Sequence, residues 1–145
     1  MKLKDKLILL VDDDEDDRIF FQEALEALGN PVQFKMAEHG MEAIQLLEQY
    51  PDLRPDAIFL DLNMPVMDGH ECLKILRSNP KYDDLKIIIF STSYNPEVAT
   101  ILQEDGANHY LRKPSNYLSL IDAIKTALST INDGVNHKNF LIAIT

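Results

Sequence analysis

The stretch "LILLVDDDEDDR", Leu7 to Arg18, decides how the rest of the chain is read. Five apolar residues run directly into six consecutive acids, Asp12 to Asp17. A half-exposed strand would alternate apolar and polar residues, whereas an unbroken apolar run suits a strand buried on both faces. Strands of that kind belong to parallel sheets, and ligands bind such sheets beyond the carboxyl ends of their strands. The acids stand at that end.

The alternation then repeats. Further apolar runs occur at 32–36 ("VQFKM"), 57–60 ("AIFL"), 87–90 ("IIIF") and, more weakly, 108–111 ("NHYL"). Helical patterns separate them. Phe21, Leu25 and Leu28 share one helical face before Gly29, and Met41, Ile44 and Leu47 mark a second helix that ends before Pro51 and Pro55. A third covers 69–78. The fourth opens on Asn95 and Pro96 and closes on Gly106, and the last covers 115–131. Strands alternating with helices imply an α/β fold with right-handed crossovers and helices on both faces. The expected architecture is a doubly wound, five-stranded parallel sheet of order 2-1-3-4-5, a flavodoxin-like arrangement.

Composition narrows the function classes. The chain has 145 residues, 46% hydrophobic and 26% charged, enough for one globular domain. Its net charge of −10 argues against direct binding to nucleic acid or to an anionic membrane surface. The single cysteine, Cys72, excludes an intramolecular disulfide and suits a reducing, cytoplasmic compartment. The N-terminal "MKLKDK" does not read as a secretory signal, and no apolar run has the length of a membrane span.

The strand ends carry the polar chemistry. Asp12 and Asp13 come after the first strand, Asp61 opens "DLNMPVMDG" after the third, Ser91 opens "STS" after the fourth, and Lys113 and Pro114 come after the fifth. Three carboxylates, a hydroxyl and an ammonium therefore converge on one sheet edge. Neighbouring strands lie about 5 Å apart, so Asp13 and Asp61 are brought together across 48 positions of sequence. Two carboxylates about 4 Å apart repel by roughly 4 kcal/mol at an effective dielectric near 20. Protonation of one, or a bound cation, relieves this, and hard oxygen ligands suit Mg²⁺.

This combination resembles the receiver domain of bacterial response regulators, the phospho-accepting half of two-component signalling. The resemblance covers about residues 5 to 131. It rests on "LLVDDD", "DLNMPVMDG", a Ser thirty residues past Asp61, and "KP" shortly after Tyr110. It implies that Asp61 is the phosphorylated aspartate and that its phosphodonor is a sensor histidine kinase or a histidine phosphotransfer protein. It further implies a Mg²⁺ site made by Asp12, Asp13, Asp61 and the backbone carbonyl of Asn63, with Asp13 a direct ligand and Asp12 acting through water. Lys113 and Ser91 would contact the phosphoryl group. Ser91 and Tyr110 would form the switch, with Tyr110 turning inward when Ser91 moves, and a downstream protein target would read the result. The resemblance also implies a cis Lys113–Pro114 peptide.

Several positions depart from that pattern. Thr92 stands where Ala or Gly is usual and borders the access to Asp61. Ser115 stands where Phe is common and is expected to cap the last helix. After a receiver domain over 1–131, the tail 132–145 is too short for an output domain and ends in the apolar "FLIAIT". Its first reading is a tail folded back on the domain. The alternative is pairing with another chain, which would give a homodimer.

Plain structural roles compete for some of these residues. Asp14 to Asp17 suit a helix start, where the dipole favours acids. Cys72 reads as a small buried hydrophobe, and Asp68 and Gly69 as the turn into the third helix. Three rival functions share the fold class or the domain. A flavin-binding flavodoxin wants a Ser-, Thr- and Gly-rich phosphate loop after the first strand, where this chain has six acids. A haloacid-dehalogenase-type phosphatase wants a second Asp two positions past the nucleophile, where this chain has Asn63. A pseudo-receiver would be a binding module without phosphorylation.

Overall fold

A computed structural model of the chain describes residues 6–29, 32–131 and 139–142. The elements are β1 (Leu7–Val11), α1 (Glu15–Ala27), β2 (Gln33–Ala37), α2 (Gly40–Gln49), β3 (Ala57–Leu60), α3 (Gly69–Arg77), a 3₁₀ turn (Pro80–Tyr82), β4 (Lys86–Ser91), α4 (Pro96–Glu104), β5 (His109–Arg112), α5 (Tyr117–Ser129) and β6 (Leu141–Ile142). All strand pairs are parallel and the order is β2-β1-β3-β4-β5-β6. The expected doubly wound order is therefore present. It carries one addition: among the described residues the sheet has a sixth strand beyond the expected five, because Leu141–Ile142 adds to the β5 edge.

The apolar runs explain the layering. Every residue of β1 and β3 is buried, as an unbroken apolar strand requires. Ile8, Leu10, Phe59 and Phe90 pack towards α1 and α5, where Phe21 meets the Phe59 and Phe90 rings edge-on. Leu9, Val11, Ile58, Leu60, Ile87 and Ile89 pack towards α2, α3 and α4. The second run behaves differently. Gln33, Lys35 and Met36 are exposed, because β2 is an edge strand.

Local side-chain chemistry sets the helix starts. Asp14 caps α1 by accepting from the Asp17 N–H at 3.0 Å, and Glu15, Asp16 and Asp17 fill its first turn. Gly29 comes after that helix in the left-handed region, at φ 71°. Asp68 and Glu71 form a reciprocal capping box on α3. Asn95 caps α4, with Pro96 at its first position. The α5 cap is Asn116, which accepts from the Ser119 N–H at 2.9 Å, and not Ser115. Ser115 lies one residue too early, and Asn116 is the residue whose side chain meets the third helical N–H.

Two further residues hold the frame. Arg77, at the end of α3, donates to the carbonyls of Gly106, Tyr82 and Leu85 and to Asn108 Oδ1, all between 2.6 and 2.9 Å. Cys72 is buried against Gly40, with its thiol pushed up to about 12 by burial, as a small hydrophobe should be. Among the described residues, no helix is long and apolar enough to cross a membrane.

Candidate functional site

The strand ends meet as the topology demands. The Asp12 N–H donates to the Ala37 carbonyl and the Asp61 N–H to the Val11 carbonyl, each at 3.0 Å, so both acids leave their strands side by side. The Lys113 N–H donates to the Ser91 carbonyl at 2.8 Å, which ties the end of β5 to the end of β4. One oxygen from each of Asp12, Asp13 and Asp61 falls within a span of 4.8 Å. Asp12 and Asp61 are buried, and Asp13 is exposed at the mouth.

Gly69 sets the position of Asp61. A Cβ there would lie 2.2 Å from the Asp61 carbonyl oxygen and 2.9 Å from the Leu62 Cα. The Gly69 N–H instead donates to the Leu62 carbonyl at 3.0 Å, folding the loop tightly under the acid. In that loop Val66 takes a left-handed φ of 67° and is 80% exposed, an uncommon conformation for a β-branched residue.

Lys113 is the counter-charge. Its ammonium lies 2.6 Å from Asp12, 2.9 Å from Asp17 and 3.7 Å from Asp61. Burial alone would lower its pKa, but the bonds to Asp12 and Asp17 outweigh burial and raise it, so the group stays charged. Burial raises the Asp12 carboxyl, against the pull of Lys113. Burial also pushes the Asp61 carboxyl up to about 6, with the Asp12 charge adding to it and Lys113 and the Asn63 N–H opposing it. One ammonium thus serves three acids, and the buried carboxylates are under-compensated.

Asp17 is the residue that sequence reasoning missed. The acid run placed it in a helix start, and it is there, but its carboxylate also faces Lys113. The available signal was its place in the first turn of α1, directly beyond the β1 end. Asn63 and Thr92 line the same open cleft, of about 630 Å³, together with Asp13, Asp61 and Lys113.

Ser91 and Tyr110, the pair expected to form a switch, sit beside this cleft. Ser91 ends β4 and is fully buried, 3.3 Å from the Ser93 hydroxyl. Tyr110 is 1% exposed, and its hydroxyl donates to the Ser93 carbonyl. The ring is therefore already inward, where the resemblance assigned that position to a later step. Its edge contacts with Tyr94 (5.2 Å between centroids) and Phe140 (6.4 Å) supply the reason. The Lys113–Pro114 peptide is trans, which corrects the cis expectation. Trans is the intrinsically preferred isomer, and the Lys113 side chain reaches Asp12 with it.

The sequence matches the response regulator receiver domain over residues 8–125. The chain belongs to that family. It is 36% identical over 124 residues to a chemotaxis protein CheY homolog of Campylobacter jejuni, covering 85% of this chain and 92% of the relative. It is 31% identical over 124 residues to response regulator Rcp1 of Synechocystis, covering 83% and 84%. Among solved structures, the phosphorylated cyanobacterial phytochrome response regulator RcpA superposes with a TM-score of 0.82 at 31% identity, over 93% of this chain and 99% of that one. The manganese-bound form of Rcp1 gives 0.79 at 30% identity, over 90% and 97%. Receiver domains are signalling proteins of two-component systems that receive phosphate from histidine kinases and act on downstream targets.

Proposed function

We propose that the chain accepts a phosphoryl group on Asp61 from the phosphohistidine of a sensor histidine kinase or histidine phosphotransfer protein. An Asp61 carboxylate oxygen forms the new bond to phosphorus as the P–N bond breaks, and the electron pair leaves with the imidazole, which is protonated from solvent. The observation that carries this reading is the buried Asp61 carboxylate, set within 4.8 Å of two more carboxylates and 3.7 Å from the Lys113 ammonium.

The donor set fits a hard divalent cation: clustered carboxylates, two of them buried, with one shared ammonium to oppose their charge. Asp12, Asp13 and Asp61, with the Asn63 carbonyl, would hold Mg²⁺, whose charge offsets that of the phosphoryl oxygens. The chain's own groups do the rest. Lys113 remains protonated and turns from the carboxylates towards a phosphoryl oxygen. Ser91 donates its hydroxyl to another. Thr92, on the cleft wall, narrows access for donor and water.

The output is a population shift between two arrangements of Ser91 and Tyr110, read by a downstream protein that prefers one of them. Residues 1–131 form the receiver and 132–145 a tail, in a cytoplasmic protein that acts by contact or by passing the phosphate on. Incubation with acetyl phosphate, with and without Mg²⁺, followed by intact mass, tests this. One phosphoryl group should add only with the metal. Addition without any divalent ion contradicts the metal role, and multiple turnover of phosphate esters favours the phosphatase alternative. No addition under any condition leaves the pseudo-receiver.

A further inference from the structure

The tail is bonded to the switch residue itself. β6 runs parallel to β5, with Leu141 opposite Tyr110 and Ile142 opposite Leu111. The Tyr110 N–H donates to the Phe140 carbonyl at 2.9 Å, and the neighbouring His109 Nδ1 lies 3.0 Å from the Asn139 carbonyl. The Phe140 ring meets the Tyr110 ring edge-on, and Tyr94 meets the same ring from α4's approach loop. Phe140 packs into the layer of α2, α3 and α4, whereas Ile142 packs into the layer of α1 and α5. Residues 139–142 therefore straddle the sheet edge and grip β5 by backbone and by side chain.

These contacts lead to the acceptor site in few steps. Tyr110 donates to the Ser93 carbonyl, and the Ser93 hydroxyl lies 3.3 Å from that of Ser91, whose own carbonyl holds the Lys113 N–H. If Tyr110 swung outward it would give up the edge contacts with Tyr94 and Phe140 and the bond to Ser93 together. A docked tail thus favours one of the two states that the switch samples.

We propose that Phe140 and β6 are a positioning element for the switch: tail docking holds Tyr110 inward and is coupled to phosphoryl occupancy of Asp61. This rests on the phosphoacceptor reading above. Because coupling is reciprocal, a phosphoryl mimic at Asp61 tightens the tail by the same factor that the tail tightens the mimic. Phe140 acts through Tyr110 and touches no reacting atom.

The test uses the full chain, beryllofluoride with Mg²⁺ as the probe, and the variants Phe140→Ala and Phe140→Tyr. Wild-type protein should bind the mimic roughly fivefold more tightly than Phe140→Ala, at the low end of measured couplings, and Phe140→Tyr should restore the affinity. In wild type the mimic should slow hydrogen exchange at the Tyr110 N–H, and in Phe140→Ala that exchange should be fast before the mimic is added. Equal affinities in wild type and in a Phe140→Ala protein whose Tyr110 N–H exchanges fast overturn the coupling. So does Tyr110 exchange that ignores the mimic. Should Phe140→Ala not fold, Ile142→Pro, which removes a backbone N–H from β6 alone, supplies the same comparison. If wild type binds no mimic, the phosphoacceptor reading fails and the coupling falls with it.

Discussion

The Lys113 ammonium lies 2.6 Å from a carboxylate oxygen of Asp12, a residue 101 positions away in sequence. The pair closes the sheet edge between its first and fifth strands, and Asp12 is fully buried beneath it. A buried carboxylate that loses its partner is left desolvated and uncompensated, which is costlier than never having had the pair.

Lys113→Met should therefore lower stability at neutral pH by about 3 kcal/mol, the range seen when one partner of a buried pair is removed. Urea midpoints measure it. The deficit should shrink on adding millimolar Mg²⁺, because a bound cation replaces the missing charge. A deficit that Mg²⁺ leaves untouched would mean that the cation does not reach Asp12 and Asp61.

Asp61 sets a pH dependence with a definite sign. Its folded pKa of about 6 lies above the ordinary carboxylate value of 3.8. Between those values the folded protein binds more protons than the unfolded chain, so stability falls as pH rises through about 6. The gain on going from pH 7 to pH 4 is at most about 3 kcal/mol from this group. Asp61→Asn should be more stable than wild type at pH 7 and lose this slope. Metal affinity should run the other way and rise through the same window, because only the ionised carboxylates ligate. Denaturation at several pH values, with and without metal, checks both trends.

Gly69→Ala should disturb Asp61, the proposed acceptor, from eight positions away. The new methyl would meet the Asp61 carbonyl at 2.2 Å, and that atom is backbone, so the loop must shift. A shift of about 1 Å at a reacting group can cost on the order of 100-fold in rate, and the expected slowing of phosphorylation is at least about tenfold. Rates with acetyl phosphate, compared with Gly69→Ala unfolding curves, separate misplacement from global loss of fold.

Arg77→Lys should be destabilising although it keeps the charge. The guanidinium bonds four acceptors from two segments, 82–85 and 106–108, and a lysine cannot reproduce that planar fork. Three backbone carbonyls and one amide oxygen would each lose a donor, although Asn108 Oδ1 keeps the Ile87 N–H and the Tyr82 carbonyl keeps the Leu85 N–H; the expected cost, read from urea unfolding curves, is on the order of 3 kcal/mol.

Much of this was legible because the informative residues sit where chain direction changes. The run Leu7–Val11 ends in Asp12 and Asp13, and the run Ala57–Leu60 ends in Asp61, so strand order alone brings the acids together. Asp17 was hidden because an acid in the first turn of a helix already has a sufficient local reason to be there. The β6 strand was hidden because its two residues carry no period, and its partner, β5, is specified only by the finished sheet. The inward Tyr110 was hidden for the same reason: its neighbour Phe140 arrives from a segment thirty residues on. The trans Lys113–Pro114 bond differs from what the resemblance implied, and nothing local in the sequence distinguishes the two isomers.

In the proposed reaction Asp61 itself carries the phosphoryl group. Treating the protein with acetyl phosphate and Mg²⁺, then with borohydride, reduces an acyl phosphate to an alcohol at the modified carbon. Peptide mapping should place that reduced residue at position 61 in wild type and find none in Asp61→Asn. Reduction mapped to Asp12, Asp13 or any other carboxylate in the wild-type protein, or persisting in Asp61→Asn, would contradict the account.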